Sequence, residues 1–416
     1  MGRAAHLPFG SGPGRLAAVR RAAVAALVVA LVAPARAAAS LQTALAHALA
    51  VPHVSLAATG AVVLDLDTGQ TVYSRNATLP LLPASNEKLA VTYAALTALG
   101  PGFTIETDVL GEGTQTGTTW NGDLVLKGYG DPTLSASELV SLARQVRAAG
   151  ITHVTGGVLG DESWFDTRRT APGWKTVFYI NESPPLSALI VDRGWLGRST
   201  SHDPALSAAQ LLRSDLVRVG VSVAGAARHG DADGAAVPLA EVDSPPLSQI
   251  VQGMDRISDN FDAEMLVKEL GAVQAGKGTT AAGLGVVMGQ LAQAGIPLAG
   301  VQLVDGSGLS LLDRETPAEL AALLQAMWND PELRLELLSS LPVAGRTGTL
   351  ADRMRTGPAA GVVRAKTGTT DNASALSGFA GTHYVFSILQ NGWPISLTYA
   401  RTAQDRFAAV LAGAAE

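Results

Sequence analysis

Residues 80–101 read PLLPASNEKLAVTYAALTALGP, and the reading of this stretch decides the fold. Pro80 to Pro83 predict an extended lead-in, because each proline fixes its own φ and pushes the residue before it away from the helical region. From about Ala84 to Leu99 the pattern is helical, and Gly100-Pro101 stops it. Ser85 therefore falls at a helix start, and Lys88, three residues on, shares its face. A serine hydroxyl is a weak nucleophile at neutral pH and needs a base. Lysine serves as that base only when burial and a neighbouring cation lower its pKa. The second cation has to come from elsewhere in the chain.

Two later motifs complete the requirement. They are Ser258-Asp259-Asn260 and Lys366-Thr367-Gly368-Thr369. Lys366 supplies the second cation. Ser258 stands where a hydroxyl can pass a proton to a leaving amine, and Asn260 can bond both Lys88 and a substrate amide. The Lys366–Thr369 segment is expected as a strand edge facing a cleft. Gly368 there lets a substrate backbone approach closely, so that the substrate pairs as an added strand. Lys366, Thr367 and Thr369 would hold a terminal carboxylate by charge-assisted bonds. The backbone N–H groups of Ser85 and Thr369 are the expected oxyanion donors. Singly, each motif has an ordinary explanation: an exposed helix start, a helix N-cap, a strand end. As an ordered set they describe acyl transfer on a peptide that ends in a free carboxylate.

Around these motifs the chain divides in three. Gly60–Ser74 alternates and turns at Asp67-Thr68-Gly69, the pattern of a β-hairpin. Residues 104–242 have another texture, with short β-like runs at Leu124–Leu126, Gly157–Leu159 and Val221–Val223 and a helix over Ala136–Ala149. From Ser244 a helical pattern returns and runs through Leu270, with further helices at 279–294, 317–328 and 331–340. Strand-like runs at 361–365, 375–380 and 384–389 follow, and Thr402–Ala414 reads as a closing helix. The fold class is α/β in the broad sense (α+β). A discontinuous domain, 38–103 with 243–416, carries an antiparallel sheet flanked by helices, and 104–242 is a smaller inserted α+β domain.

The first 37 residues predict an export signal. A basic segment ending in Arg20-Arg21 leads into the uncharged run Ala22–Ala33, followed by small-residue patterns at Ala33-Pro34-Ala35 and Ala35-Arg36-Ala37. The expected location is the periplasm or another extracytoplasmic cell-wall space, with at most peripheral membrane association. The formal charge of −6 becomes −11 once the five arginines of this segment are set aside. So acidic a body argues against a nucleic-acid partner. The absence of cysteine removes thiol nucleophiles, and the seven histidines form neither a His-Glu-x-x-His pattern nor a close cluster, so neither a metal nor a cofactor is expected.

The chain resembles the penicillin-binding serine D-Ala-D-Ala peptidases, and most of all their D-alanyl-D-alanine carboxypeptidase/endopeptidase family, the class C low-molecular-mass penicillin-binding proteins. The likeness rests on Pro83–Leu89, Gly130-Asp131-Pro132-Thr133-Leu134, Ala188–Gly194 with Val191-Asp192-Arg193, Ser258–Asn260 with Ala263-Glu264, Asp305–Ser310, Leu341–Gly345 and Gly348–Leu350. It implies a β-lactamase/transpeptidase-like domain with an insertion between the first two motifs. It implies hydrolysis of the D-Ala-D-Ala bond of peptidoglycan stem peptides, often of cross-links too, and acylation of Ser85 by β-lactams. Ser85 would be the nucleophile and Lys88 the base, with Ser258, Asn260, Lys366, Thr367 and Thr369 as relay and binding set.

Two departures stand out. Only 172 residues separate Ser85 from Ser258, so the innermost part of the family's longer insertion is expected to be missing or reduced. Leu311 stands where relatives that read diaminopimelate carry an arginine, which suggests a wall whose third residue is a plain diamine, lysine or ornithine. Arg314 could reach in instead, and Asp161 could face the amine of that side chain, although a loop acid or cap is the more ordinary explanation of Asp161. A serine β-lactamase shares the three motifs, but the acids Asp262, Glu264, Glu269 and Asp305 sit in no recognisable deacylation loop. A non-catalytic penicillin sensor or scaffold is the alternative from another class, and such proteins come with membrane helices and a signalling region that this chain does not show.

Overall fold

A computed structural model describes residues 1, 2, 4 and 40–415. The expected signal run at 22–33 lies outside the described residues. In chain order the elements are α1 (40–49), β1 (Thr59–Asp65), β2 (Thr71–Arg75), α2 (Lys88–Leu99), β3 (Glu106–Thr116), β4 (Thr119–Gly128), α3 (Ala136–Ala148), β5 (His153–Val154) and β6 (Val158–Asp161). There follow β7 (Trp195–Leu196), β8 (Ser199–Thr200), α4 (Pro204–Arg218), β9 (Ser222–Val223), β10 (Ala227–His229), β11 (Val237–Asp243), α5 (Leu247–Ile257), α6 (Asn260–Ala275) and α7 (Thr280–Gln293). The chain closes with α8 (Pro317–Asn329), α9 (Pro331–Ser340), β12 (Val363–Thr369), β13 (Ala373–Ala380), β14 (Tyr384–Asn391) and α10 (Leu397–Ala414).

The predicted hairpin is β1–β2. Asp65, at its first corner, accepts from the Thr68 amide at 2.8 Å, and Gly69 takes the positive φ that closes the turn. The first and last parts of the chain then build one antiparallel sheet in the order β12-β13-β14-β1-β2. Every residue of β13 is buried, because both faces of the sheet are covered. On one side Leu45 and Leu49 of α1 and Phe407 and Leu411 of α10 pack on Phe386 and Ile388. On the other, Leu89, Ala90 and Leu96 of α2 meet Leu266, Leu323, Leu337 and Phe379. Helix α2 is apolar nearly all round and accordingly sits at the centre of this layer.

Residues between β3 and β11 form a second, mixed sheet, in the order β10-β6-β4-β3-β11 with β5 and β9 attached. It has its own core, in which Val109, Leu124 and Leu126 pack under Leu142 of α3 and Leu212 and Leu216 of α4. The segment between β6 and α4 leaves this body. Phe165, Leu186, Ala188 and Ile190 lie on Phe261 and Met265 of α6 instead.

Two expectations need local correction. The α-helix starts at Lys88, not Ala84: Ala84–Glu87 form a 3-10 turn, entered through a positive φ at Ala84. The helix expected from Ser244 to Leu270 is two helices. Ser258 takes φ +63° and ends α5, and Asp259 caps α6 by accepting from the Asp262 amide at 3.1 Å. Among the described residues no helix is long and apolar enough to cross a membrane.

Candidate active site

The 3-10 turn, the α5–α6 break and the free end of β12 meet at one place. A cavity of about 390 Å³ is lined by Ser85, Ser258, Asn260, Thr367 and Thr369, with Glu182, Leu309, Thr349, Asp352, Arg353 and Arg401 completing the wall. Lys88 and Lys366 lie fully buried just behind.

The Lys88 amine is held from three directions. Its Nζ stands 3.1 Å from Ser85 Oγ, 2.8 Å from Asn260 Oδ1 and 2.6 Å from the Ser307 carbonyl. Burial lowers its pKa, while Asp305 and Glu264 oppose the shift. The Lys366 Nζ lies 2.7 Å from Ser258 Oγ and 3.0 Å from the Thr367 carbonyl. Burial first, and then the charge of Lys88, push its pKa down to about 7. Both lysines are therefore depressed, Lys88 by burial and Lys366 by burial and the charge of Lys88.

β12 is an edge strand, as expected. Its outer side is closed at the start, where the Ala344 amide bonds the Val363 carbonyl and the Ala365 amide bonds the Pro342 carbonyl. Backbone groups of alternate residues point to the same side of a strand, so Thr367 and Thr369 turn theirs to the open end at the cavity. The Thr367 hydroxyl bonds Thr349 Oγ1 at 2.7 Å, and Arg401 Nη2 reaches Thr369 Oγ1 at 3.3 Å.

Three expected site residues do not line this cavity. Gly368 was expected to admit a substrate backbone, but its free side faces the Ser85 turn: a Cβ there would come 2.7 Å from the Pro83 carbonyl and 3.1 Å from Ala84 Cβ. The glycine makes room for the turn. Asp161 does not face the cavity. It is fully buried in the second sheet, accepts from the Ser163 and Ala232 amides, and pairs with Lys127 at 3.2 Å. The loop-acid explanation fits it. Leu311 packs against the small cluster of Leu82, Ala84 and Ala373 next to the turn, and Arg314 is tied back to the carbonyls of Leu311 and Asp313.

Other residues carry the geometry through partners that the sequence does not reveal. Asn86 accepts from Ser377 Oγ at 2.7 Å with its side-chain oxygen and donates to the Lys366 carbonyl at 3.1 Å, pinning the nucleophile turn to β12 and β13. Arg193 clamps Asp259 and Asp262 at 2.5 and 2.7 Å across the α5–α6 break. The Glu182 carbonyl accepts from Asn260 Nδ2 at 3.0 Å. Arg401 arrives from the closing helix. Each of these partners is far away in the chain, so only a tertiary contact reveals it.

Comparison with known proteins shows the family and the fold. The D-Ala-D-Ala carboxypeptidase 3 (S13) family matches residues 41–201 and 196–414. A D-alanyl-D-alanine carboxypeptidase of Actinomadura sp. (strain R39) is 34% identical over 82% of this chain and 79% of its own length. Carboxypeptidase DacB of Mycolicibacterium smegmatis is 34% identical over 89% of this chain and 83% of its own length. The fold is that of penicillin binding protein 4 from Haemophilus influenzae, whose crystal structure superposes with a TM-score of 0.78 at 21% identity, covering 91% of this chain and 99% of the other. With a third of its residues shared with the Actinomadura enzyme across four-fifths of its length, the chain belongs to the D-Ala-D-Ala carboxypeptidase 3 (S13) family of peptidases.

Proposed function

We propose that the chain is a serine-type D-Ala-D-Ala carboxypeptidase, able also to act on cross-links, that works through an acyl-enzyme on Ser85. The observation that carries this reading is the environment of Lys88. A neutral amine has two N–H groups and one lone pair. Asn260 Oδ1 and the Ser307 carbonyl, at 2.8 and 2.6 Å, take the two N–H groups. The lone pair is left for the Ser85 hydroxyl at 3.1 Å. Lys88 so held accepts the serine proton as Ser85 attacks the carbonyl carbon. The amide N–H groups of Ser85 and Thr369 receive the oxyanion.

Ser258 passes a proton from Lys366 to the departing D-Ala amine, and the 2.7 Å contact between them supports that relay. Thr367, Thr369 and Lys366 hold the terminal carboxylate. Arg401 joins them, because its guanidinium stands at Thr369 on the cavity wall. Water then cleaves the ester. β-Lactams enter the same cycle and stall at the acyl stage.

The organisation supports residues 38–103 and 243–416 as the catalytic unit and 104–242 as the insertion, since each has its own sheet and core. The basic-then-apolar sequence of residues 1–37 supports export to a cell-wall compartment, where peptidoglycan stem peptides and cross-links are the substrates. Leu311, apolar and packed beside the turn, supports a third residue without a distal carboxylate.

The test is release of D-Ala from a stem-peptide mimic, together with a penicilloyl adduct mapped by mass spectrometry. Both should vanish in Ser85→Ala while the protein stays folded. D-Ala release that persists in Ser85→Ala, or rapid penicillin turnover by the wild type, overturns the proposal. A diaminopimelate peptide cleaved much faster than its lysine or ornithine counterpart overturns the selectivity part alone.

A further inference from the structure

A second cavity, of about 300 Å³, shares no lining residue with the one at Ser85 and lies where the body of the first sheet meets that of the second. Glu269 and Val273 reach it from α6, Glu106 from the start of β3 and Tyr129 from the residue after β4. Phe103 and Trp164 reach it from the connecting segments.

Glu269 carries the argument. It is only 2% exposed, yet no ion pair among the described residues involves it. Trp164 Nε1 donates to its Oε2 at 2.8 Å. Its Oε1 accepts no hydrogen bond among the described residues, and the cavity is where that oxygen is reached. Burial pushes the carboxyl up to about 7, against the pull of the indole bond, and no neighbouring cation holds it down. Glu106 is exposed at the same cavity and likewise enters no ion pair among the described residues.

The other walls are aromatic. The Tyr129 and Trp164 rings stand edge to face, with centroids 5.3 Å apart. The Tyr129 hydroxyl is engaged by Asp108 at 3.2 Å, so the cavity meets the ring and not a polar tip. Lys127 lies 5.5 Å from that ring, but it pairs with Asp161 at 3.2 Å and does not line the cavity. An anion would meet two carboxylates there, and a neutral apolar guest would leave Oε1 of Glu269 bare, which is costly. A cation on a hydrocarbon stem answers every feature: the charge pairs with Glu269, and the stem lies on the aromatic faces. Because Oε1 accepts a hydrogen bond, a primary ammonium fits better than a quaternary one.

We propose that this cavity binds a primary alkylammonium group, with Glu269 as its counter-charge, Tyr129 and Trp164 around its stem and Glu106 at the mouth. The source is either a free amine or the side chain of a lysine-like residue in a peptide. Such a guest is gripped by both bodies at once, through α6 on one side and the start of β3 on the other. The site touches no reacting atom, and the inference does not depend on Ser85 being the nucleophile.

The experiment is isothermal titration calorimetry of the full-length protein with n-pentylamine, with its neutral isostere 1-pentanol and with Nα-acetyl-lysine amide. Pentylamine should bind at about one site per chain, and pentanol at least roughly tenfold more weakly, as the loss of a charged hydrogen bond implies. Acetyl-lysine amide that binds at least as tightly as pentylamine points to a peptide side chain, and pentylamine binding alone points to a free amine. Glu269→Gln keeps an oxygen for the Trp164 indole and should weaken pentylamine roughly tenfold or more, with circular dichroism showing the fold retained. Val273→Lys, at a position 39% exposed, sets a tethered ammonium at the cavity and should weaken pentylamine too. It decides the matter should Glu269→Gln fail to fold. No saturable pentylamine binding at millimolar concentration overturns the proposal and leaves Glu269 as a prop for Trp164. Equal affinity for pentylamine and pentanol overturns it as well, because the charge is then not read. Affinity unchanged in both variants overturns it too, because the amine then binds elsewhere.

Discussion

Arg193→Ala tests how the segment between the two sheets controls the active site. Arg193 Nη1 and Nη2 lie 2.5 and 2.7 Å from Asp259 and Asp262, on either side of Asn260. The two aspartate side chains are 12% and 8% exposed and the arginine 36%. Removing one partner of a fully buried pair costs about 3–5 kcal/mol, whereas an exposed pair is worth about 0–1 kcal/mol. This clamp sits between those limits. Burial, reinforced by Asp259, already pushes the Asp262 pKa up to about 7, so the unpaired acid can relieve part of the loss by taking a proton. The expected destabilisation is about 2 kcal/mol at neutral pH. With about 2.1 cal/mol/K of unfolding entropy per residue, a body of this size should melt about 2–3 °C lower. Backbone strain does not enter. Arg193 holds φ +55°, and alanine carries the same Cβ into that region. Ser258 and Asn260 flank Asp259, so kcat for D-Ala release should fall roughly tenfold or more with KM little changed. A double-mutant cycle with Asp259→Asn should return a coupling of about 1 kcal/mol. An unchanged melting temperature, with coupling near zero and wild-type kcat, would refute the clamp.

Three further outcomes follow from the same geometry. Acylation by penicillin should rise with pH, with a midpoint below the ordinary lysine range. Burial lowers the pKa of Lys88, and its lone pair is free only once its proton is lost; a flat profile from about pH 5 to 9 contradicts the lysine-base scheme. Arg401→Ala should raise KM for a free-carboxylate peptide roughly tenfold while sparing kcat, and should leave the C-terminally amidated peptide unaffected; equal losses on both peptides would remove Arg401 from carboxylate binding. Gly308→Ala places a Cβ 1.9 Å from the Ala84 carbonyl at a φ of +78°, so urea unfolding should show a loss of at least roughly 3 kcal/mol, and a wild-type midpoint would show that the turn can yield.

The local elements were readable because their causes are local. The Asp-Thr-Gly corner of the first hairpin, the Gly100 stop of α2 and the edge position of the Lys-Thr-Gly strand follow from turn chemistry and periodicity. The two errors in helix boundaries share one cause. Ala84 and Ser258 both take positive φ, and this splits a continuous helical pattern into a 3-10 turn before α2 and two helices around Ser258. Nothing in the periodicity marks those residues, because tertiary packing holds the strain. Asp161 stood between a cleft acid and a loop acid because its loop sequence is ambiguous. Lys127 and the Ala232 amide, both distant in the chain, settle its place.

By itself the sequence determined the three ordered motifs, the class of fold and the family likeness, since these depend on residue type and spacing. Tertiary structure alone decided what each residue faces. Gly368 yields space to the nucleophile turn and not to a substrate. Asn86 ties that turn to β12, and Arg193 and Arg401 come from other elements to the second motif and the cavity. Glu87, in sequence merely the residue before Lys88, meets Asp305 and Asp313 only when the chain is folded. The reason is physical: chemistry is encoded in side-chain type, but its electrostatic setting is created by burial and by neighbours that the linear order keeps apart.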